Sequence, residues 1–197
     1  MIKHIAGTVN KLYGYRRKIL TELPADNTVV STWTDGIRPF RFKECVLPVL
    51  CDFIGQDGFL LHPGFGDARS LFASMLPALG SKCRTEDHEK LLDGLLSREE
   101  LSSTAIGHEC AVPHIHSDLV SETGIVIAVL DRSLDFGEEL PVRIVCLLAG
   151  PVGETNQHLQ LLSRVCQFLY DDEFRARMIA CTTVDELRDL VQKRDAR

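Results

Sequence analysis

The sequence predicts an α/β sandwich, and three observations carry that prediction. Gly124–Leu130 (GIVIAVL) and Val142–Leu148 (VRIVCLL) are short, uninterrupted apolar runs rich in β-branched residues, the pattern of strands covered on both faces. These runs alternate with segments whose apolar residues recur at helical spacing. The bulk properties fit such a fold: 197 residues, 45% hydrophobic and 25% charged, suit one medium globular domain or one domain with an appendage.

Taken in order, the chain opens with Ile2, Ile5, Val9, Leu12, Tyr13, Ile19 and Leu20 at roughly helical spacing. Five basic residues, Lys3, Lys11, Arg16, Arg17 and Lys18, stand between them. The favoured reading is a terminal helix packed on its own domain; the alternative is a helix lying on an anionic membrane or an acidic partner. Leu23–Asn27 is a breaker-rich segment. Thr28–Trp33 and Ile37–Phe42 then read as strands around the hairpin signal Asp35-Gly36, with Pro39 consigning the second to an edge. Residues 1–50 are thus expected to form a small β-containing appendage, and 51–197 the main domain.

Val46–Leu61 is apolar, interrupted by Pro48 and Gly58, and leads into the main sheet. Asp67 is a predicted helix cap, followed by Ala68, Leu71, Phe72, Met75, Leu76 and Leu79 on one face, with Pro77 kinking or ending the helix. Thr85 begins another helix, with Glu86 and Asp87 where the dipole favours acids and Leu91, Leu92, Leu95 and Leu96 facing inward. Arg98 falls near its end. After the two buried strands, Thr155 caps a helix carrying Leu159, Leu162, Val165, Phe168 and Leu169. A short helix spans Glu173–Ile179. Thr183-Val184-Asp185-Glu186 is a capping box that opens the last helix, with Leu187, Leu190 and Val191 facing inward.

The net charge of −6 hides an asymmetry. Residues 1–20 carry +5 and no acid, leaving 17 basic against 28 acidic residues in the remainder. That body is not a nucleic-acid binder by charge. The seven cysteines (45, 51, 83, 110, 146, 166 and 181) are odd in number, contain no CxxC pair and lie mostly in apolar runs. They fit a reducing cytosol. No apolar run approaches membrane-spanning length and the N-terminus lacks a signal-peptide core, so a cytoplasmic protein without membrane insertion is expected.

The chemistry is expected in Ser97–Ser117, SREELSSTAIGHECAVPHIHS. A charged helix end, Arg98-Glu99-Glu100, leads through a small-residue loop, Ser102–Gly107, to the apolar run Ala111-Val112-Pro113 and then His114. Pro113 has no N–H, so ladder pairing is expected to end there, with His114 emerging partly exposed from the sheet.

The run R-E-E-L-x-S-T-A-I-G-x-x-x-A-V-P-H resembles the signature of enzyme IIA domains of the fructose, mannitol and nitrogen-regulatory branch of the bacterial phosphotransferase system. A second segment, PVRIVCLLAGPVGETNQHLQLLSRVCQFL (Pro141–Leu169), resembles that family's core strand and following helix. The resemblance covers roughly Gly58 to Gln192 and excludes the first fifty or so residues. It implies a mixed β-sheet with helices on both faces, the enzyme IIA-like sandwich. It also implies that His114 accepts a phosphoryl group from a histidine-containing carrier protein, then passes it to a IIB partner or serves as a regulatory signal. Arg98 matches the family's active-site arginine and His158 its second histidine. No cofactor is implied, and no resident metal.

Physical chemistry supports those roles. An imidazole acceptor needs one free ring nitrogen, a guanidinium can hold phosphoryl oxygens bidentately, and a histidine near a helix N-terminus can join its amides around an anion. Ser103 and Thr104 belong to the loop, and Gly107 serves turn geometry. Two alternatives come from the same residues. His108, Cys110, His114 and His116 would share one face of an extended strand, a candidate transition-metal set in an irregular spacing that Pro113 disrupts. Ile115, where the family usually has a small residue, lies where a partner is expected to dock. It favours a catalytically silent IIA-like binding module. A chain free of IIB and IIC parts suits regulation somewhat better than transport.

Overall fold

The computed structural model describes residues 48–136 and 141–196. The N-terminal helix, the Thr28–Phe42 hairpin and hence the appendage lie outside the described residues. Within them, the elements run β1 (Ile54–Leu61), α1 (Ala68–Met75), α2 (His88–Leu101), β2 (Ala105–Gly107), β3 (Cys110–Ala111), β4 (His114–His116), β5 (Gly124–Asp135), β6 (Pro141–Gly150), α3 (Thr155–Leu169), α4 (Asp172–Ala180) and α5 (Val184–Asp195).

The six strands form one mixed sheet in the order β1-β5-β6-β3-β2, with β4 also pairing β6. β1 runs parallel to β5, β5 antiparallel to β6, and both β3 and β4 parallel to β6. The mixed sheet and its two helical layers follow from the strand sequences. Along β5, Val126, Ala128 and Leu130 face one core with α1 and α2, while Ile125, Ile127 and Val129 face another with α3, α4 and α5. β6 divides in the same way, Val145, Leu147 and Ala149 against Ile144, Cys146 and Leu148. Two covered faces leave no polar alternation to read, which is why both strands appear as continuous apolar runs.

Asp67 caps α1 through a reciprocal bond pair with Ser70, and Thr183 caps α5 in a capping box with Glu186. Pro77 lies where α1 gives way to a 3₁₀ segment, Leu76–Lys82. Three expectations are corrected. Thr85 opens a 3₁₀ turn, Thr85–Asp87, and α2 itself starts at His88. Thr155 is the first residue of α3 rather than its cap; Glu154 holds the cap position with no side-chain bond to the helix. Leu159 is 48% exposed, and His158 stands on the buried face instead. Among the described residues no helix is long and apolar enough to cross a membrane.

Candidate functional site

Pro113 does not end the ladder. Its carbonyl accepts from Leu148 N–H at 2.9 Å, and β4 then pairs His114, Ile115 and His116 with Leu148, Ala149 and Gly150. The proline removes its own N–H and nothing more, because the parallel partner draws on its carbonyl. His114 is therefore held within the sheet, half-buried, at the edge beside α2.

A chain of hydrogen bonds fixes that position. Glu99, in the last turn of α2, accepts from Thr104 N–H and from its hydroxyl, both at 2.6 Å. Thr104 is fully buried, and its carbonyl accepts from Val112 N–H at 3.1 Å. The Val112 carbonyl stands 2.9 Å from His114 Nδ1. A carbonyl partner requires Nδ1 to carry the proton, so the free lone pair belongs to Nε2. Nε2 lies 3.4 Å from Arg98 Nη2, while Arg98 Nη1 donates to the Ser102 carbonyl at 2.8 Å and closes the end of α2. Burial, followed by the positive charge of Arg98, holds His114 below the usual histidine range against the raising effect of the Val112 bond. The ring is thus a neutral imidazole with one free nitrogen facing a guanidinium.

His158 arrives from the other helical layer. It sits in the first turn of α3, its amide bonded to the Glu154 carbonyl, and the residue is 1% exposed. The ring meets His114 edge-on at 5.7 Å between centroids and lies 3.9 Å from the His116 ring at 37°. Neither of its nitrogens has a hydrogen-bond partner among the described residues. Burial drives its pKa down to about 3, with His116 and His114 adding repulsion, so it too is neutral. Gly150 makes room for it: a Cβ there would come within 2.9 Å of Thr123 Oγ1 and 3.5 Å of His158 Nδ1. Thr123 in turn donates to the Glu154 carboxylate at 2.9 Å and ties the start of α3 to the start of β5.

The structure brings Arg98, His114 and His158 together and adds His116, whose Nδ1 faces the Pro151 carbonyl at 3.2 Å. It does not assemble the His/Cys set. His108 and Glu109 form a two-residue turn between β2 and β3, both with left-handed φ (55° and 58°), which breaks the strand parity. The His108 ring packs on Tyr170, with Nδ1 3.4 Å from Arg175 Nη2, which also meets Asp172. Cys110 is fully buried, and burial pushes its thiol up to about 12. No group of three or more His, Cys, Asp or Glu side chains among the described residues is arranged to hold a metal ion. Gly107 has φ +81° and serves the turn, as expected. Ile115 is partly buried and packs against the α1–α2 core.

Sequence reading missed the Glu99–Thr104 clasp, although a glutamate and a threonine flanking a helix end were signals for it. It missed the stacking of His116 on His158 because that contact joins opposite ends of the motif pair.

A family model described as phosphoenolpyruvate-dependent sugar phosphotransferase system, EIIA 2, matches residues 53–194. The chain is similar to the PTS system 2-O-alpha-mannosyl-D-glycerate-specific EIIABC component of Escherichia coli (strain K12), 34% identical over 136 residues that make 67% of this chain. The chain spans 21% of the length of that relative and of the fructose-specific EIIABC component of Bacillus subtilis. A nitrogen regulatory protein of Bradyrhizobium diazoefficiens is 31% identical over 107 residues, 53% of this chain and 70% of that protein. The crystal structure of nitrogen regulatory protein IIA-Ntr from Neisseria meningitidis shares the fold. Its TM-score is 0.63 at 21% identity, over 71% of this chain and 97% of that one.

Proposed function

The chain belongs to the EIIA 2 family of the phosphoenolpyruvate-dependent sugar phosphotransferase system, and on that premise we propose that it is a phosphocarrier that accepts a phosphoryl group on His114 Nε2. The observation that carries this reading is the pairing of that nitrogen with the Arg98 guanidinium at 3.4 Å while Nδ1 is committed to the Val112 carbonyl. The Nε2 lone pair attacks the phosphorus of a phosphohistidine on a histidine-containing carrier protein. The new N–P bond forms as the old one breaks, and the donor nitrogen keeps the electron pair. Arg98 donates to the transferring oxygens and stabilises their charge. His158, neutral and without another partner among the described residues, offers one N–H to the same group beside the first turn of α3, which has no side-chain cap bond.

The group then leaves for a IIB-type acceptor or stays as a regulatory mark. The EIIABC relative, which joins A, B and C parts by name, favours the first route, and the nitrogen regulatory relative favours the second. Every group named in this site lies within residues 51–197, the proposed main domain. Ile115, the residue that favours a silent binding module, is partly buried against the α1–α2 core. Incubating the chain with a phosphorylated carrier protein tests the proposal: it predicts a phosphoryl group on His114, and an unlabelled chain overturns it.

A further inference from the structure

His116 is the one histidine of the site without a role so far. It stands two residues beyond His114 on the same face of β4, since side chains alternate along a strand. Its ring stacks on His158, and its Nδ1 is positioned to donate to the Pro151 carbonyl. In the neutral ring that assignment puts the lone pair on Nε2, and the residue is half-buried.

Resting on the carrier reading above, we propose that His116 takes up a proton when His114 is phosphorylated and releases it when the group leaves, so that phosphoryl transfer and proton uptake are coupled. The phosphoryl group brings about two negative charges into a site whose described positive charge beside His114 is Arg98. A nearby anion favours the charged form of an imidazole. His158 is poorly placed to charge, being 1% exposed and wedged against two other rings. Protonating His116 at Nε2 keeps the Nδ1–H bond to Pro151 and strengthens it, since both nitrogens of the cation donate.

The proton comes from a buffer acid or hydronium ion and forms an N–H bond at Nε2. No other bond changes, and the reverse step returns it to solvent. Among the described residues, the titratable and charged groups recorded in this cluster are His114 on the same strand, His158 from α3 and Arg98 of α2 beyond His114, while Glu154 stands at the cap of α3. β6 faces it with Gly150, which has no side chain.

The test uses the full chain with isotope-labelled histidine, phosphorylated chemically with phosphoramidate and followed by NMR through a pH titration. The His116 signal is assigned by its loss in His116→Gln. Phosphorylation is expected to move the His116 titration midpoint up by about one pH unit. The hydrolysis rate of the phosphoryl group in His116→Gln should lose the matching inflection in its pH profile, a readout that mere packing against His158 does not move. If His114 carries the phosphoryl group and His116 titrates at the same pH in both forms, this inference is wrong and the carrier reading stands. If no phosphoryl group reaches His114 from phosphoramidate or from a carrier protein, both fall together.

Discussion

Ile115 Cδ1 lies 2.5 Å from where a Cβ on residue 94 would stand, so Gly94 of α2 and Ile115 of β4 form a matched pair. The consequence reaches the site. Arg98 is one turn further along α2 and His114 is the residue before Ile115, so this contact lies next to the Arg98–His114 pair. A single methyl would meet only the end of the Ile115 side chain, which can give way by leaving its rotamer minimum at a cost of about 0.5–1.5 kcal/mol. Alanine recovers a similar amount over glycine in a helix.

A branched side chain has no such escape. Gly94→Val is expected to destabilise the chain by about 1–3 kcal/mol and to slow phosphoryl acceptance. Gly94→Val with Ile115→Ala should restore much of both. Urea unfolding of the two singles and the double supplies the cycle, and strictly additive effects would contradict the pairing.

Arg98→Lys keeps a positive charge but loses the planar fork. It should slow phosphoryl transfer while retaining more activity than Arg98→Ala. Loss of one or two charge-assisted bonds, at about 1.5–3 kcal/mol each, corresponds to roughly 10- to 100-fold or more in rate for alanine. Single-turnover kinetics with a phosphorylated carrier would measure it, and equal rates for parent and alanine variants would remove Arg98 from the site.

Thr104→Val removes a buried hydroxyl that donates to Glu99 and leaves that carboxylate oxygen short of a partner. A cost of about 1–3 kcal/mol is expected. Because Thr104 also holds Val112, and Val112 holds His114 Nδ1, the variant should transfer more slowly even at temperatures where it is fully folded. Unaltered kinetics in a folded Thr104→Val chain would show that the relay of bonds does not position the ring.

Much of this was legible in the sequence, and the misses have a common cause. The caps at Asp67 and Thr183, the two central strands and the Arg98–His114 pairing are local or carried by a motif, so the chain announces them. The strand β4 was missed because a proline was read as terminating a ladder. In fact its N–H was not needed where β6 donates to its carbonyl. The burial of His158 was not legible, because the rings packed on it are those of His114 and His116, on a strand distant in sequence. The face shared by His108 and Cys110 rested on a continuous strand, which the left-handed turn at His108 and Glu109 interrupts.

His158 also makes a prediction about pH. Its pKa is about 3 in the folded chain, against roughly 6.5 when unfolded. The unfolded state therefore binds the extra proton, and stability rises with pH between these values. The contribution is present in full above about pH 6.5 and is lost progressively toward pH 3. For one group the slope is at most about 1.4 kcal/mol per pH unit. His158→Leu should flatten the fall in unfolding free energy between pH 6.5 and 4 relative to the parent chain. Parallel curves for parent and variant would contradict a buried neutral ring.

The central claim is that His114 Nε2 receives the phosphoryl group, and site-resolved mass spectrometry of the phosphorylated chain addresses it most directly. After incubation with a phosphorylated histidine-carrier protein at neutral pH, the account predicts one acid-labile phosphoryl group per chain, located on His114. A folded His114→Ala variant should carry none. A phosphoryl group on another residue, or equal labelling of His114→Ala and the parent chain, would contradict it.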